Sequence, residues 1–446
     1  MEKKSKKVVQ SKTPLKTRKE MGKMSEGYPI VPRLAWGQGG VDYQERINFD
    51  RLRKDRMEKT RAGMRKRGIA AVILTTINLR YATATRSPEW RYRGSDLGIV
   101  FAEHDPIVYI SHEAAVHNRI FTPWIKPEDV RTVPLILPGS SKTQILEQGR
   151  RMAGMILNDL KAKGIAKEKI GIEEMVPTIR GGLEEAGVKM ESVDDLLLEV
   201  RATKTVDEIS CLKMAGAIAE KGWIEMFANV KPGMTDTELS AMGTAAMIKL
   251  GAEGPFKVSV RSGPLTSPNY TGMLTDRMVQ YGDLQLCDIW GNVFCGYRTC
   301  YYRTWKVGGK PTQKEKDWYK RSYDWLVQMA AAVKPGVTTA DVAKAFPKAS
   351  DWGLKDEDET SVNALGHGIG VGNHDLPIIH RSVSFKHPEV LEKNMVLSLE
   401  PWYGEPMVGG VRLEDTGVIT DKGWESFYTI PVDQMLVPRS SMIFEF

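Results

Sequence analysis

The chain has 446 residues, more than one ordinary domain uses and enough for two with sizeable cores. Its 41% hydrophobic and 27% charged residues are those of a globular protein, and no apolar run approaches membrane-spanning length. The four cysteines, three of them crowded at Cys287, Cys295 and Cys300, do not form the pattern of a secreted disulfide framework, and the net charge of +7 comes largely from one end.

Residues 1–45 read as a tail and lead-in. Lys3, Lys4, Lys6, Lys7, Lys12, Lys16, Lys19 and Lys23 face only Glu2 and Glu20 there, and Pro29, Pro32 and Gly37 to Gly40 break any long element. A solvated tail is expected in preference to a contact with nucleic acid or anionic lipid, because no basic-aromatic module follows it. The charged start lacks the apolar core of a signal peptide, so a cytoplasmic location is expected.

A charged amphipathic helix is predicted over 49–67, stopped by Gly68. Residues 70–74 form a buried strand, and 97–102 and 107–111 a strand pair around a His-Asp-Pro turn. A long helix over 141–163 closes at Gly164, a strand follows at 169–173, and a short helix lies near Thr178. Strands alternating with helices predict an α/β domain, residues 46–195, with a mostly parallel or mixed sheet.

A second domain, 196–446, opens with a helix over 206–230 that ends at Lys231-Pro232-Gly233-Met234-Thr235. Another helix, 314–333, ends at Lys334-Pro335-Gly336-Val337-Thr338, and each Thr is placed to cap a further helix. A unit that occurs twice predicts an internally duplicated domain with a cleft between its halves. Between the copies lie a strand at 258–262 with a turn, a strand starting after Gly282-Asp283 and ending in Asp288, and a second strand over 296–304.

The stretch 365–420 carries most of the chemistry. It holds Gly366-His367-Gly368-Ile369-Gly370, then His374-Asp375-Leu376-Pro377, Leu399-Glu400-Pro401 and Arg412-Leu413-Glu414-Asp415. Glu400 and Glu414 lie among apolar strand residues such as Met395-Val396-Leu397 and Val418-Ile419. A carboxylate there is costly unless it meets a cation, a metal or good donors. Either Glu alone could be an internal ion pair, for example with Arg412. Two of them with His367 in one sheet-like region favour a site.

These motifs, in this order, resemble the pita-bread superfamily of prolidase, aminopeptidase P, methionine aminopeptidase and creatinase, over most of residues 45–435. Arg201-Ala202-Thr203-Lys204 with Asp207-Glu208-Ile209 is similar to that family's entry into its catalytic domain. The resemblance implies a creatinase/prolidase-like N-terminal α/β domain followed by a duplicated pita-bread catalytic domain. It also implies a divalent metal (manganese, zinc, iron or cobalt; one ion or two) held by Asp288, His367, Glu400 and Glu414. His374 would carry a proton or stabilise an oxyanion, and Arg412 or Arg303 would orient carboxylates. Tyr297, Trp402 and Asn269 are the expected substrate contacts, and a homodimer is implied.

Two positions depart from the family pattern. Its five metal ligands include a second Asp, but Gly296-Tyr297-Arg298-Thr299-Cys300 offers Cys300 there, or Thr299 if a one-residue insertion near Trp290-Gly291 shifts the register. Cys300 is either a soft ligand favouring zinc over manganese or a small buried hydrophobe. Asn269 stands where a loop histidine is usual.

The expected function is metal-dependent hydrolysis of a C–N bond in a dipeptide or small N-substituted substrate, with Xaa-Pro cleavage the nearest activity. Three alternatives stay open. A metal-free creatinase-like enzyme fits the frame Gly296, Tyr297, Thr299, Arg303 and Thr304. A metal-assisted dimethylsulfoniopropionate-type lyase fits Ser262-Gly263-Pro264, Thr266 and Pro268 with 78–83. A binding module that has lost its metals is the third. Trp290, Tyr301, Tyr302, Trp305 and Tyr403 join Tyr297 and Trp402 as aromatics that can cage an onium group, pack on proline rings, or simply fill the core.

Overall fold

The computed structural model describes residues 47–85, 96–112, 114–116, 122–134, 139–173, 177–268 and 275–442, so the basic segment 1–45 lies outside the described residues. The first helix, α1 (Phe49–Arg67), takes its predicted limits because both ends are capped. The Asn48 side chain accepts from the Arg51 N–H at 2.9 Å, and Gly68 closes the helix at φ 64°, a conformation that disfavours any residue with a Cβ. Leu52, Arg56, Thr60 and Met64, four residues apart, form its buried face.

The first domain continues with β1 (Ala71–Thr75), α2 (Thr76–Thr83), β2 (Leu97–Phe101), β3 (Ile107–Ile110), β4 (Val130–Thr132), α3 (Lys142–Ala162), β5 (Ile170–Ile172), α4 (Pro177–Glu185), β6 (Met190–Ser192) and α5 (Asp194–Ala202). Its sheet runs β4-β3-β2-β1-β5-β6. β2 is antiparallel to both β1 and β3, whereas β5 is parallel to β1, so the sheet is of the mixed kind. Strands β1 to β3 are buried throughout because both faces are covered. Ile73, Leu97 and Ile99 meet Met152, Ile156 and Leu160 of α3. On the other face Val72, Leu74 and Val100 meet Met64 of α1 with Leu196 and Leu197 of α5. Ala202, at the far end of α5, already belongs to a core of the second domain, so this one helix carries the chain from one core to the next.

The repeated unit folds twice in the same way. Helices α6 (Val206–Asn229) and α7 (Asp236–Lys249) flank the first KPGxT, and α8 (Gln313–Ala332) and α9 (Thr339–Ala343) flank the second. Gly233 and Gly336 turn at φ 93° and 84°. Their N–H groups donate to Val279 O and Leu391 O, each at 2.8 Å. Thr235 and Thr338 both cap the next helix through a reciprocal box, with Glu238 and Asp341.

Each copy brings its own sheet. The first is β7 (Phe256–Ser262), β8 (Leu284–Phe294) and β9 (Tyr297–Lys306), in that spatial order. The second holds β10 (Ala364–Gly368), β11 (Asp375–Ile379), β12 (Val396–Glu405), β13 (Gly409–Arg412), β14 (Asp415–Thr420) and β15 (Gly423–Ser426), ordered β11-β10-β12-β14-β15 with β13 paired to β12. Thr304 of β9 joins the two sheets, its hydroxyl donating to Arg412 O at 2.9 Å while accepting from Arg412 N at 3.0 Å.

One strand departs from its expected length. The sequence placed the end of β8 at Asp288, before Gly291, yet β8 continues to Phe294 and Asp288 lies mid-strand. Gly291 is not a stop. A Cβ there would come within 2.7 Å of both Phe256 Cα and Pro255 O, so glycine lets β7 approach closely while the ladder runs on. Among the described residues no helix is long and apolar enough to cross a membrane.

Candidate metal centre

His367 is central to this region of the second sheet. On β10 it pairs with Ser398 of β12, which pairs in turn with Thr416 of β14. The imidazole is fully buried, and its Nδ1 lies 2.9 Å from the carbonyl oxygen of Gly368. A carbonyl only accepts, so Nδ1 carries the proton and Nε2 presents a lone pair. Burial lowers the pKa of this imidazole, and the His374 ring beside it adds to that against the pull of Glu400, which favours the neutral form. Nε2 has no hydrogen-bond partner and stands 3.6 Å from Glu400 Oε1. Two lone-pair atoms facing each other in a buried site call for a cation between or beside them.

The two glutamates differ. Glu400 Oε2 accepts from Arg412 Nη2 at 2.8 Å, so the internal ion pair considered for either residue forms at Glu400. Burial would lower the Arg412 pKa, but the Glu400 carboxylate and the Tyr302 ring outweigh it and raise it. Glu414 has no such partner, and neither of its fully buried carboxylate oxygens makes a hydrogen bond. Burial, with the charge of Glu400, pushes its carboxyl well above the usual range; the nearby Ser398 hydroxyl and Cys300 thiol act the other way, and Asp288 adds to the rise. A bound cation reverses that preference. Arg303 does not orient a carboxylate side chain. It donates to the main-chain oxygen of Glu414 at 2.6 Å and stacks over Tyr301.

The β8–β9 pair decides between Cys300 and Thr299. The ladder keeps one register from Leu284–Lys306 through Asn292–Arg298 and is irregular only beyond, between Asn292 and Phe294. Asp288 faces Tyr302 across the ladder and Trp290 faces Cys300, so these four side chains share one side of the sheet. Cys300 Sγ, His367 Nε2 or Nδ1 and a Glu414 oxygen offer donor atoms within 4.8 Å of one another, all on buried residues. Thr299 belongs to the opposite face, with its hydroxyl 3.4 Å from that of Tyr428. Asp288 receives a 2.9 Å hydrogen bond on Oδ2 from Tyr302, whose own hydroxyl is kept protonated chiefly by burial. A thiol, an imidazole nitrogen with an unpartnered lone pair and a buried carboxylate, gathered this closely, fit a divalent cation.

His374 is exposed and meets the His367 ring edge-on, with ring centroids 4.5 Å apart. Its neighbour Asp375 is buried and tied to the first domain through Arg201 Nη2 at 2.7 Å. Arg201 also donates to Asn78, which donates to Glu173 at 2.8 Å, so a buried polar chain runs from β11 into the first sheet. The turn that carries His374 depends on Gly368, where a Cβ would come within 2.1 Å of Leu376 O and 2.8 Å of Asp375 O. Backbone on both sides cannot yield cheaply. Gly368→Ala is therefore expected to cost about 1–3 kcal/mol, the range for overpacking. A urea midpoint indistinguishable from wild type would contradict that.

Of the expected substrate contacts, Asn269 lies outside the described residues. Tyr297 is fully buried toward α1 and α6, its hydroxyl donating to Glu208 at 3.0 Å. Trp402 is buried beside Arg412 in the β12–β13 pair. Sequence reasoning did not single out Tyr302 as the partner of Asp288, or Arg201 as that of Asp375. The signal for Tyr302 is its register opposite Asp288, which appears only once the ladder is known.

A mixed-sheet first domain, a duplicated second domain and a buried thiol–imidazole–carboxylate cluster between its sheets define a two-domain protein of the pita-bread class. The profile of metallopeptidase family M24 matches residues 210–421. The Xaa-Pro dipeptidases of Pyrococcus furiosus and Pyrococcus horikoshii are 29% and 30% identical over 263 residues, which is 57% of this chain and 72% of each of those proteins. Among solved structures, an Xaa-Pro dipeptidase from Bacillus anthracis superposes with a TM-score of 0.67 at 21% identity, covering 86% of this chain and 99% of that one. A dipeptidase from Pyrococcus horikoshii OT3 gives 0.66 at 22% identity, with 87% and 100% covered. The chain belongs to metallopeptidase family M24.

Proposed function

We propose that this protein is a metal-dependent hydrolase that cleaves the C–N bond of dipeptides of the Xaa-Pro kind. The observation that carries the reading is the buried meeting of His367, Glu414 and Cys300, where an imidazole nitrogen and two carboxylate oxygens lack hydrogen bonds. The names of the curated relatives support the substrate class. His367 and Glu414 would hold the metal, with Cys300 as a third donor and Glu400 and Asp288 alongside. The metal would polarise the scissile carbonyl and supply a nucleophile at neutral pH.

The chain's own groups do the rest. Gly368 O fixes the His367 ring so that Nε2 faces the cluster. Arg412 holds Glu400 in place. His374, exposed above His367, is placed to pass a proton to the leaving amide nitrogen. The Arg201–Asp375 contact anchors the residue next to it.

Supplied with zinc, manganese, iron or cobalt, the purified protein is expected to release free proline from an Xaa-Pro dipeptide. His367→Ala is expected to lose at least about 100-fold in metal affinity or activity, more than loss of an outer-shell partner costs. Turnover by the variant at the wild-type rate, or no release from a panel of such dipeptides with any of the four metals, would contradict the proposal.

A further inference from the structure

We infer that this chain holds one divalent ion, not two, in a soft site made by Cys300 Sγ, His367 Nε2 and a Glu414 oxygen, and that its own side chains close the second position. The inference rests on the metal-dependent reading above and concerns the number and kind of ion.

Charge and donor type support the first half. A thiolate, a carboxylate and a neutral imidazole together carry two negative charges, which balance a dication among buried side chains. Sulfur beside nitrogen selects zinc or a similar borderline-soft ion over manganese, and three protein donors leave coordination room for a substrate atom. Cys300 faces the cluster because it is two residues from Tyr302, the partner of Asp288, in a regular stretch of the β8–β9 ladder, and the alternation of the strand turns Thr299 to the other side.

The second half follows from what the remaining carboxylates already do. A two-ion site needs carboxylates that bridge, each giving one oxygen to each ion. Glu400 turns Oε1 toward His367 Nε2 at 3.6 Å and gives Oε2 to Arg412 Nη2 at 2.8 Å, so lending that second oxygen to another ion would bring the ion against the guanidinium. Asp288 gives Oδ2 to the Tyr302 hydroxyl at 2.9 Å. The Arg412 guanidinium is itself buried over the Tyr302 ring, 4.6 Å from its centroid, and so sets a fixed positive charge beside Glu400 and Tyr302 that disfavours a second dication next to them. Replacement of one hard ligand by Cys300 and engagement of one oxygen of each of the other two carboxylates by an internal donor point the same way.

The test is to strip the full-length protein of metal, load it with zinc for elemental analysis, and load a second sample with Co(II) for absorption spectroscopy. One equivalent of zinc per chain is expected, with a thiolate-to-cobalt charge-transfer band in the near ultraviolet. Cys300→Ser should lose the band. Cys300→Asp restores a carboxylate donor, and should also lose the band and move preference from zinc toward manganese by about 10-fold or more, as the change of donor softness requires. Because the band is read first in the wild-type chain, a variant that fails to fold does not remove the test. Two tightly held equivalents in the wild type, no charge-transfer band, or a band that persists in either Cys300 variant would overturn the inference. No readout needs turnover. One zinc bound through Cys300 with no dipeptide cleaved would defeat the peptidase proposal alone, and cleavage with two ions would defeat this inference alone.

Discussion

Glu414→Gln is expected to cost at least about 100-fold in metal affinity, with the same loss in dipeptide turnover, while leaving the metal-free protein no less stable than wild type. Both carboxylate oxygens of Glu414 are buried without a hydrogen bond, next to the charges of Glu400 and Asp288. A charged carboxylate held in that position is a liability to the fold, relieved by taking up a proton or by a bound cation. The amide keeps the shape and cannot ionise, so the ligand is lost and the buried site no longer has to choose between a proton and a charge. This is the stability–activity trade-off expected of a functional group. Calorimetry with zinc on stripped protein, beside a urea titration of the same sample, reads both effects. Unchanged affinity, or a metal-free variant that unfolds at clearly lower urea, would show that Glu414 is a structural residue.

Arg412→Met should act in the opposite way. Arg412 and Glu400 are both nearly inaccessible, and the guanidinium is the one cation contacting that carboxylate among the described residues. Removing it strands a buried charge and is expected to cost about 3–5 kcal/mol in the metal-free protein. Arg412→Met with Glu400→Gln should recover most of that loss, because the stranded charge is gone. Excess zinc should also recover part of it in the single variant, since Glu400 Oε2 is then released to a metal and capacity should rise above one equivalent. A urea midpoint within error of wild type would contradict the assigned partnership. The same contact bears on a metal-free creatinase-like reading, in which both glutamates receive a cationic substrate. Glu400 already has its cation.

Much of this was legible in the chain. The limits of α1 follow from Asn48 and Gly68, and both KPGxT turns act as helix stops followed by Thr caps. These are local signals, decided within a few residues. His367, Glu400 and Glu414 stood out because polar groups among apolar strand residues need a reason, and the structure brings them to one region. What the sequence could not show were relations between distant strands. Gly291 looked like the end of a strand because a glycine reads as punctuation until the backbone of β7 is seen against it. Thr299 stayed open as the alternative to Cys300 until the ladder fixed which one shares a side with Asp288 and meets His367. Tyr302 was one aromatic among several, and its role on Asp288 is a matter of cross-strand register. Arg201 and Asp375 lie 174 positions apart and meet only because α5 carries the chain from one core to the other.

The central claim is that a divalent ion in this cluster performs dipeptide hydrolysis. It is tested most directly by following release of proline from an Xaa-Pro dipeptide before chelation, after complete removal of metal, and after return of zinc. The account predicts turnover that disappears with the metal and returns with it in wild type, and that does not return in Glu414→Gln. Turnover that survives complete removal of metal would contradict the account.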